Sequence, residues 1–188
     1  MRRCICLLLA LALLAACTAC AKSVYTPDGP ETGNAALDEA VLTLLQEICD
    51  PKASETENLG RAYDFICNDI TYRAGTADTS GGFTEELTES LALELLQKRK
   101  GNCDAQAALM AVLLRRMGCE AQIVQGTFVR EDGGEPVDHA WVRAVVDGTA
   151  CWFDPLYGSH FAENARDYFM AGDALLAQTH QWDAAALN

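Results

Sequence analysis

Three residues in this chain could together carry out nucleophilic chemistry: a cysteine at a helix start, and a histidine and an aspartate that one hairpin would bring to the same side of a sheet. Cys103 stands in "GNCDAQAALMAVLLRRMG", directly after a glycine turn and ahead of a long helix-forming run. At the first turn of a helix, unpaired backbone N–H groups and the dipole favour a thiolate. The competing reading is a core thiol that happens to sit there.

The other two residues come from "DHAWVRAVV" and "TACWFD", which alternate at period two and are joined by Asp147-Gly148, a strong hairpin signal. A two-residue turn sets Val146 against Thr149, Arg143 against Trp152 and Trp141 against Asp154. Strand alternation then places His139, Trp141 and Arg143 on one face with Trp152 and Asp154. Asp154 becomes the diagonal neighbour of His139, about 7 Å away at the backbone, within reach of a carboxylate–imidazole bond. One residue more in the turn would send the two to opposite faces. An imidazole held by a carboxylate keeps one tautomer and can act as a base or pair with a thiolate. The alternatives are a satisfied sheet histidine for His139 and a turn residue before Pro155 for Asp154. Trp141 and Trp152 either surround the histidine and exclude water or simply fill the core.

The elements that must position these residues are readable upstream. Leu37, Val41, Leu44, Leu45 and Ile48 recur on one helix face before Asp50-Pro51 ends the run. Leu59, Ala62, Tyr63, Ile66 and Ile70 mark a second helix ending near Tyr72, and "TESLALELLQKRKG" a third that stops at Gly101. The fourth begins at Asn102 or Cys103 and runs through Met117 to Gly118; its residues 105–114 are apolar nearly all round, so it should be the buried central helix. "CEAQIVQGTFV" reads as a strand. The expected class is therefore α+β: N-terminal helices, with the Cys-bearing central helix packed on an antiparallel sheet. Beyond Pro155 the pattern is mixed and assigns no elements. His160 and His180 have no comparable setting, which favours surface or structural roles.

The 188 residues, 50% of them hydrophobic, suit one globular domain. A formal net charge of −13 makes nucleic acid an unsuitable partner. "MRRCICLLLALALLAAC" has two arginines, then an apolar stretch typical of a signal peptide and too short to span a bilayer comfortably. Leu14-Ala15-Ala16-Cys17 resembles the lipobox of bacterial lipoproteins. That implies cleavage before Cys17, a lipid on its sulfur, and a protein held on the outer side of a bacterial membrane. The expected organisation is a signal peptide over 1–16, a tether over 17–34 and one domain over 35–188. Of the nine cysteines, Cys4 and Cys6 leave with the signal. Cys49, Cys67, Cys119 and Cys151 lie in apolar periodic segments and should be small buried hydrophobes, with one disulfide among them left open. No CxxC pair or paired metal-ligand spacing occurs, and no cofactor or metal is called for; a zinc site at Cys103, His139 and Asp154 is a distant alternative.

Gly101-Asn102-Cys103, Ala107, Leu109, Leu113-Leu114-Arg115, Gly118, Ala121, Val124 and Gly126, followed by His139-Ala140-Trp141 and Trp152-Phe153-Asp154-Pro155, resemble the core of the transglutaminase-like superfamily. With "RAYDFICNDITY" upstream, the resemblance covers roughly residues 58–158. It departs at Gln122, where many members carry arginine, and at Cys119, where an apolar β-branched residue is usual. The resemblance implies a papain-like α+β fold with Cys103 as nucleophile, His139 as base and Asp154 as orienting acid. For the oxyanion, the backbone N–H of Cys103 is the first candidate donor and Tyr72 a second. The expected function is membrane-anchored, extracytoplasmic acyl transfer through a thioester. Its substrate is a peptide, a protein or a cell-wall peptide, as in a peptidase, amidase or transglutaminase. The alternative is a cell-surface binding module in which the same cleft recognises without turnover.

Overall fold

The computed structural model describes residues 23–75, 78–130 and 133–187. The expected signal peptide, the lipid-bearing Cys17 and Cys20 lie outside the described residues. Four helices come first: α1 (Ala35–Ile48), α2 (Glu55–Asp69), α3 (Glu85–Lys98) and α4 (Cys103–Arg116). Each starts on a side-chain cap that satisfies an otherwise orphaned N–H: Asn34, Ser54 in a full capping box with Glu57, Thr84 and Asn102. The Thr84 cap starts α3 three residues before the expected Thr88. The second helix stops at Asp69 rather than near Tyr72, because Thr71–Tyr72 (β1) turns extended and pairs in parallel with Lys100–Gly101 (β2).

α4 is buried along its length from Ala105 to Leu114, as its all-round apolar sequence requires. It packs between the other helices and a five-stranded sheet built from β3 (Glu120–Phe128), β4 (Val137–Val146), β5 (Thr149–Phe153), β6 (Phe169–Ala171) and β7 (His180–Trp182), in the order β6-β5-β4-β3-β7. The β4–β5 register pairs Val146 with Thr149, Val145 with Ala150 and Arg143 with Trp152. Asp147 and Gly148 both have positive φ, 50° and 74°, the conformation that a two-residue hairpin turn demands.

The strands divide their side chains between two apolar clusters. Ala140, Val142, Ala144 and Val146 join the core around α4, whereas Val124, Phe128, Trp141 and Trp152 join a second one. That second cluster is closed by the region where the sequence assigns no elements: α5 (Pro155–His160), a 3-10 turn (Ala165–Tyr168), β6, α6 (Asp173–Leu176) and β7.

The expected tether is not free over its C-terminal half. Pro27 and Gly29 are buried, the Gly29 N–H donates to Arg116 O at 3.0 Å, and Arg116 bonds back to the Gly29 carbonyl. The end of α4 exposes unpaired carbonyls, and this strand of chain satisfies one of them. The five described cysteines, Cys49, Cys67, Cys103, Cys119 and Cys151, are all free thiols.

Candidate active site

Cys103 is the first residue of α4, directly after the Asn102 cap. Asn102 Oδ1 accepts from Ala105 N at 3.2 Å, and its amide donates to Asp104 at 2.8 Å, so the helix start is fixed on both sides of the cysteine. β2 pairs with β1 just upstream, with Tyr72 opposite Gly101.

His139 and Asp154 meet as the hairpin register requires. His139 Nε2 donates to Asp154 Oδ2 at 2.6 Å, with both side chains 1% exposed. Asp154 also caps α5, its Oδ1 accepting from Tyr157 N at 2.8 Å. The turn-residue role before Pro155 and the partner role for His139 are thus one arrangement. Its backbone is anchored as well, N–H to Tyr168 O at 3.0 Å and C=O from the Tyr63 hydroxyl at 3.0 Å.

With Nε2 committed to the carboxylate, the His139 Nδ1 is the ring nitrogen left for Cys103, which lines the same cavity. Burial alone would lower the His139 pKa, but the Asp154 charge and hydrogen bond, with that of Cys103, raise it to about 10. Burial alone would likewise raise Asp154; the charge and hydrogen bond of His139 and the hydrogen bond of His180 hold it well below the usual carboxylate range. Among the other described thiols, burial pushes Cys67 up to about 12 and Cys49, Cys119 and Cys151 to about 11, which makes them poor nucleophiles.

Cys103 and His139 line a cavity of about 190 Å³ whose walls include Tyr72, Phe128, Leu156 and Phe161. Tyr72 is 46% exposed and lies edge-on to His160, with ring centroids 6.1 Å apart. Trp141, fully buried, stacks on His139 at 5.7 Å, which excludes water from the imidazole face. Trp152 packs instead against Trp182 at 4.8 Å and donates Nε1–H to Asp173 at 2.6 Å.

Residues 42–155 match the family model of the transglutaminase-like superfamily, more than half of the chain. The chain belongs to that superfamily. Its likeness to solved structures agrees at the level of the fold. A transglutaminase structure is 19% identical, with a TM-score of 0.51 over 69% of this chain and 33% of that one. A Cytophaga hutchinsonii protein proposed to be a cysteine protease is 19% identical (TM-score 0.48, 67% of this chain and 38% of that one). The periplasmic domain of TgpA from Pseudomonas aeruginosa, solved with ethylmercury bound, is 20% identical (TM-score 0.45, 64% and 44%). The chain thus spans less than half the length of these neighbours. No curated protein matches the sequence.

One member of this transglutaminase-like site escapes sequence reasoning. His180, expected at the surface or in a structural role, is 2% exposed, and its Nε2 donates to Asp154 Oδ2 at 2.9 Å. A signal was present: His180-Gln181-Trp182 repeats the His-x-Trp alternation of His139-Ala140-Trp141, and in both the histidine and tryptophan share a strand face. His160, by contrast, is exposed and bonds to Ser159. Candidate ligand atoms of His139, Asp154 and His180 all lie within 4.8 Å of one another. Separations of 2.6 and 2.9 Å from the carboxylate oxygen are hydrogen-bond lengths. They are shorter than the roughly 3.3 Å between atoms bonded to one tetrahedral zinc.

Proposed function

We propose that the protein is a cysteine acyl-transfer enzyme in which Cys103 is the nucleophile, His139 the acid–base and Asp154 the group that orients it. The observation that carries this reading is the buried 2.6 Å His139–Asp154 bond beside a helix-start cysteine that shares its cavity. The pair leaves one imidazole nitrogen facing sulfur and supports an imidazolium next to it. The thiolate adds to a carboxamide or peptide carbonyl. The oxyanion takes the backbone N–H of Cys103, with the Tyr72 hydroxyl, which lines the same cavity, as second donor. Collapse expels the amine, protonated from His139, and leaves a thioester. Water or a second amine, deprotonated by the same imidazole, then releases the acyl group and restores the thiol.

Hydrolysis is the favoured outcome, giving peptidase or amidase activity. The substrate class is a peptide or protein chain, with cell-wall peptides included by location. That location is proposed to be the outer side of a bacterial membrane, through a lipid on Cys17. The reading rests on Arg2, Arg3, the apolar run and Leu14-Ala15-Ala16-Cys17.

The test is alkylation of Cys103 by iodoacetamide, followed residue by residue by mass spectrometry, and then a search for acyl adducts on Cys103 after exposure to peptides and peptidoglycan fragments. Fast, His139-dependent labelling at neutral pH and a trapped thioester support the enzyme. A Cys103 as sluggish as Cys67, or reversible peptide binding without an adduct, replaces it with a binding module. Incorporation of a fatty-acid analogue that disappears in Cys17→Ala tests the anchor.

A further inference from the structure

The catalytic reading uses one histidine, yet Asp154 serves two. Its Oδ2 receives Nε2–H from His139 at 2.6 Å and from His180 at 2.9 Å, while Oδ1 receives the Tyr157 backbone N–H at 2.8 Å. His180 is itself held from behind: the Thr179 hydroxyl lies 2.8 Å from its Nδ1, and the Tyr168 hydroxyl 3.0 Å from the Thr179 oxygen. With Nε2–H donated to the carboxylate, the Thr179 and Tyr168 hydroxyls continue the bonded series behind the ring, and Thr179 Oγ1 also reaches Leu176 O at 3.5 Å.

Burial makes this arrangement consequential. The His180 side chain has no exposed surface, and a polar ring is not taken out of water for packing alone without a bonded partner. Its strand is brought in at a specific cost in sequence freedom: a Cβ on Gly126 would lie 2.1 Å from Gln181 O and 2.8 Å from the Trp141 ring. β7 therefore approaches β3 closely because residue 126 lacks a side chain.

We infer that His180 is a positioning residue for acyl transfer, the second donor that fixes the Asp154 carboxylate and thereby sets the orientation and proton affinity of His139 toward Cys103. The inference rests on the acyl-transfer reading above. Without His180, Oδ2 keeps one donor and Oδ1 the Tyr157 N–H, and the carboxylate can tilt away from His139; the second imidazole donor narrows it to one orientation. Other groups act on the same centre. Cys103 and Asp104 face His139 from α4, and Tyr63 and Cys67 face Asp154 from α2. Tyr157 and Tyr168 lie against His180, and Arg130, Asp138 and His160 line the cavity with His139.

The experiment is the pH profile of Cys103 alkylation by iodoacetamide in the full chain, with thermal unfolding of each variant alongside. His180→Leu should shift the acid limb toward higher pH and slow labelling at pH 6 by about tenfold, the equivalent of one pH unit. His180→Gln, which returns an N–H at similar reach, should recover most of that loss. If His180→Leu does not fold, Thr179→Val carries the test: it keeps the ring, removes the hydroxyl at Nδ1, and should shift the limb in the same direction by less. A wild-type profile in folded His180→Leu, or an equal shift in the Leu and Gln variants, overturns the positioning role and leaves a packing residue. A profile that His139→Ala does not change removes the acyl-transfer reading itself, so the two failures are distinct.

Discussion

The sheet face under α4 presents Ala140, Val142 and Ala144, small apolar residues at every second position, whereas the opposite face presents His139, Trp141 and Trp152. The first is covered by one long helix adjacent in sequence. The second is covered by short pieces from beyond Pro155, none longer than α5. The first face is held by area removed from water and tolerates exchange of one apolar shape for another. The second depends on directional bonds around one carboxylate, where losing a partner strands the others. Stability is broadly distributed on one side and concentrated at a few atoms on the other.

Removing the concentrated element should have the largest effect. Asp154→Ala strands two buried imidazole donors and the Tyr157 N–H, and should lower stability in denaturant titration by about 3–5 kcal/mol while abolishing His139-dependent labelling of Cys103. On the other face, Leu109→Ala deletes a fully buried α4 side chain and should cost about 2–5 kcal/mol, yet leave the alkylation rate of the folded protein unchanged. Rate loss there equal to that in Asp154→Ala would erase the distinction between the faces.

The pH dependence of stability sharpens it. His139, raised by Asp154, adds stability that is complete below its ordinary value of about 6.5 and is lost as pH climbs toward about 10. Asp154, lowered, adds stability that is present above about pH 4 and is lost as pH falls further. The denaturant midpoint should therefore be highest between about pH 4 and 6.5, and His139→Gln should flatten the decline above 6.5. The buried thiols contribute a separate loss above about pH 9 that this variant leaves in place. The smallest effect is expected from Thr84→Ala, which removes the α3 cap. It should cost about 1 kcal/mol without moving the Cys103 profile.

The same division explains what could be read in advance. Helix faces from Leu37 to Ile70, the buried α4 and the β4–β5 register follow from periodicity and one turn, all signals carried within a short window. From that register the His139–Asp154 pair could be placed, and the structure forms it. For His180 the His-x-Trp alternation marks a strand face but not the partner it meets. Its strand is three residues long, it pairs with β3 across more than fifty positions of sequence, and the glycine that admits it looks like any strand glycine. The Thr84 start of α3 was missed for a smaller reason: the cap residue sits inside a run of loop-forming residues.

The close approach at Gly126 has a consequence for how protons travel. With Trp141 stacked on one imidazole, both carboxylate oxygens occupied and the second imidazole fully enclosed, the shared oxygen is kept from bulk solvent. Two ring N–H hydrogens shared by a single acceptor, shielded in this way, should exchange slowly with deuterium and resonate far downfield. The resting protein would carry that spectral mark before any substrate arrives.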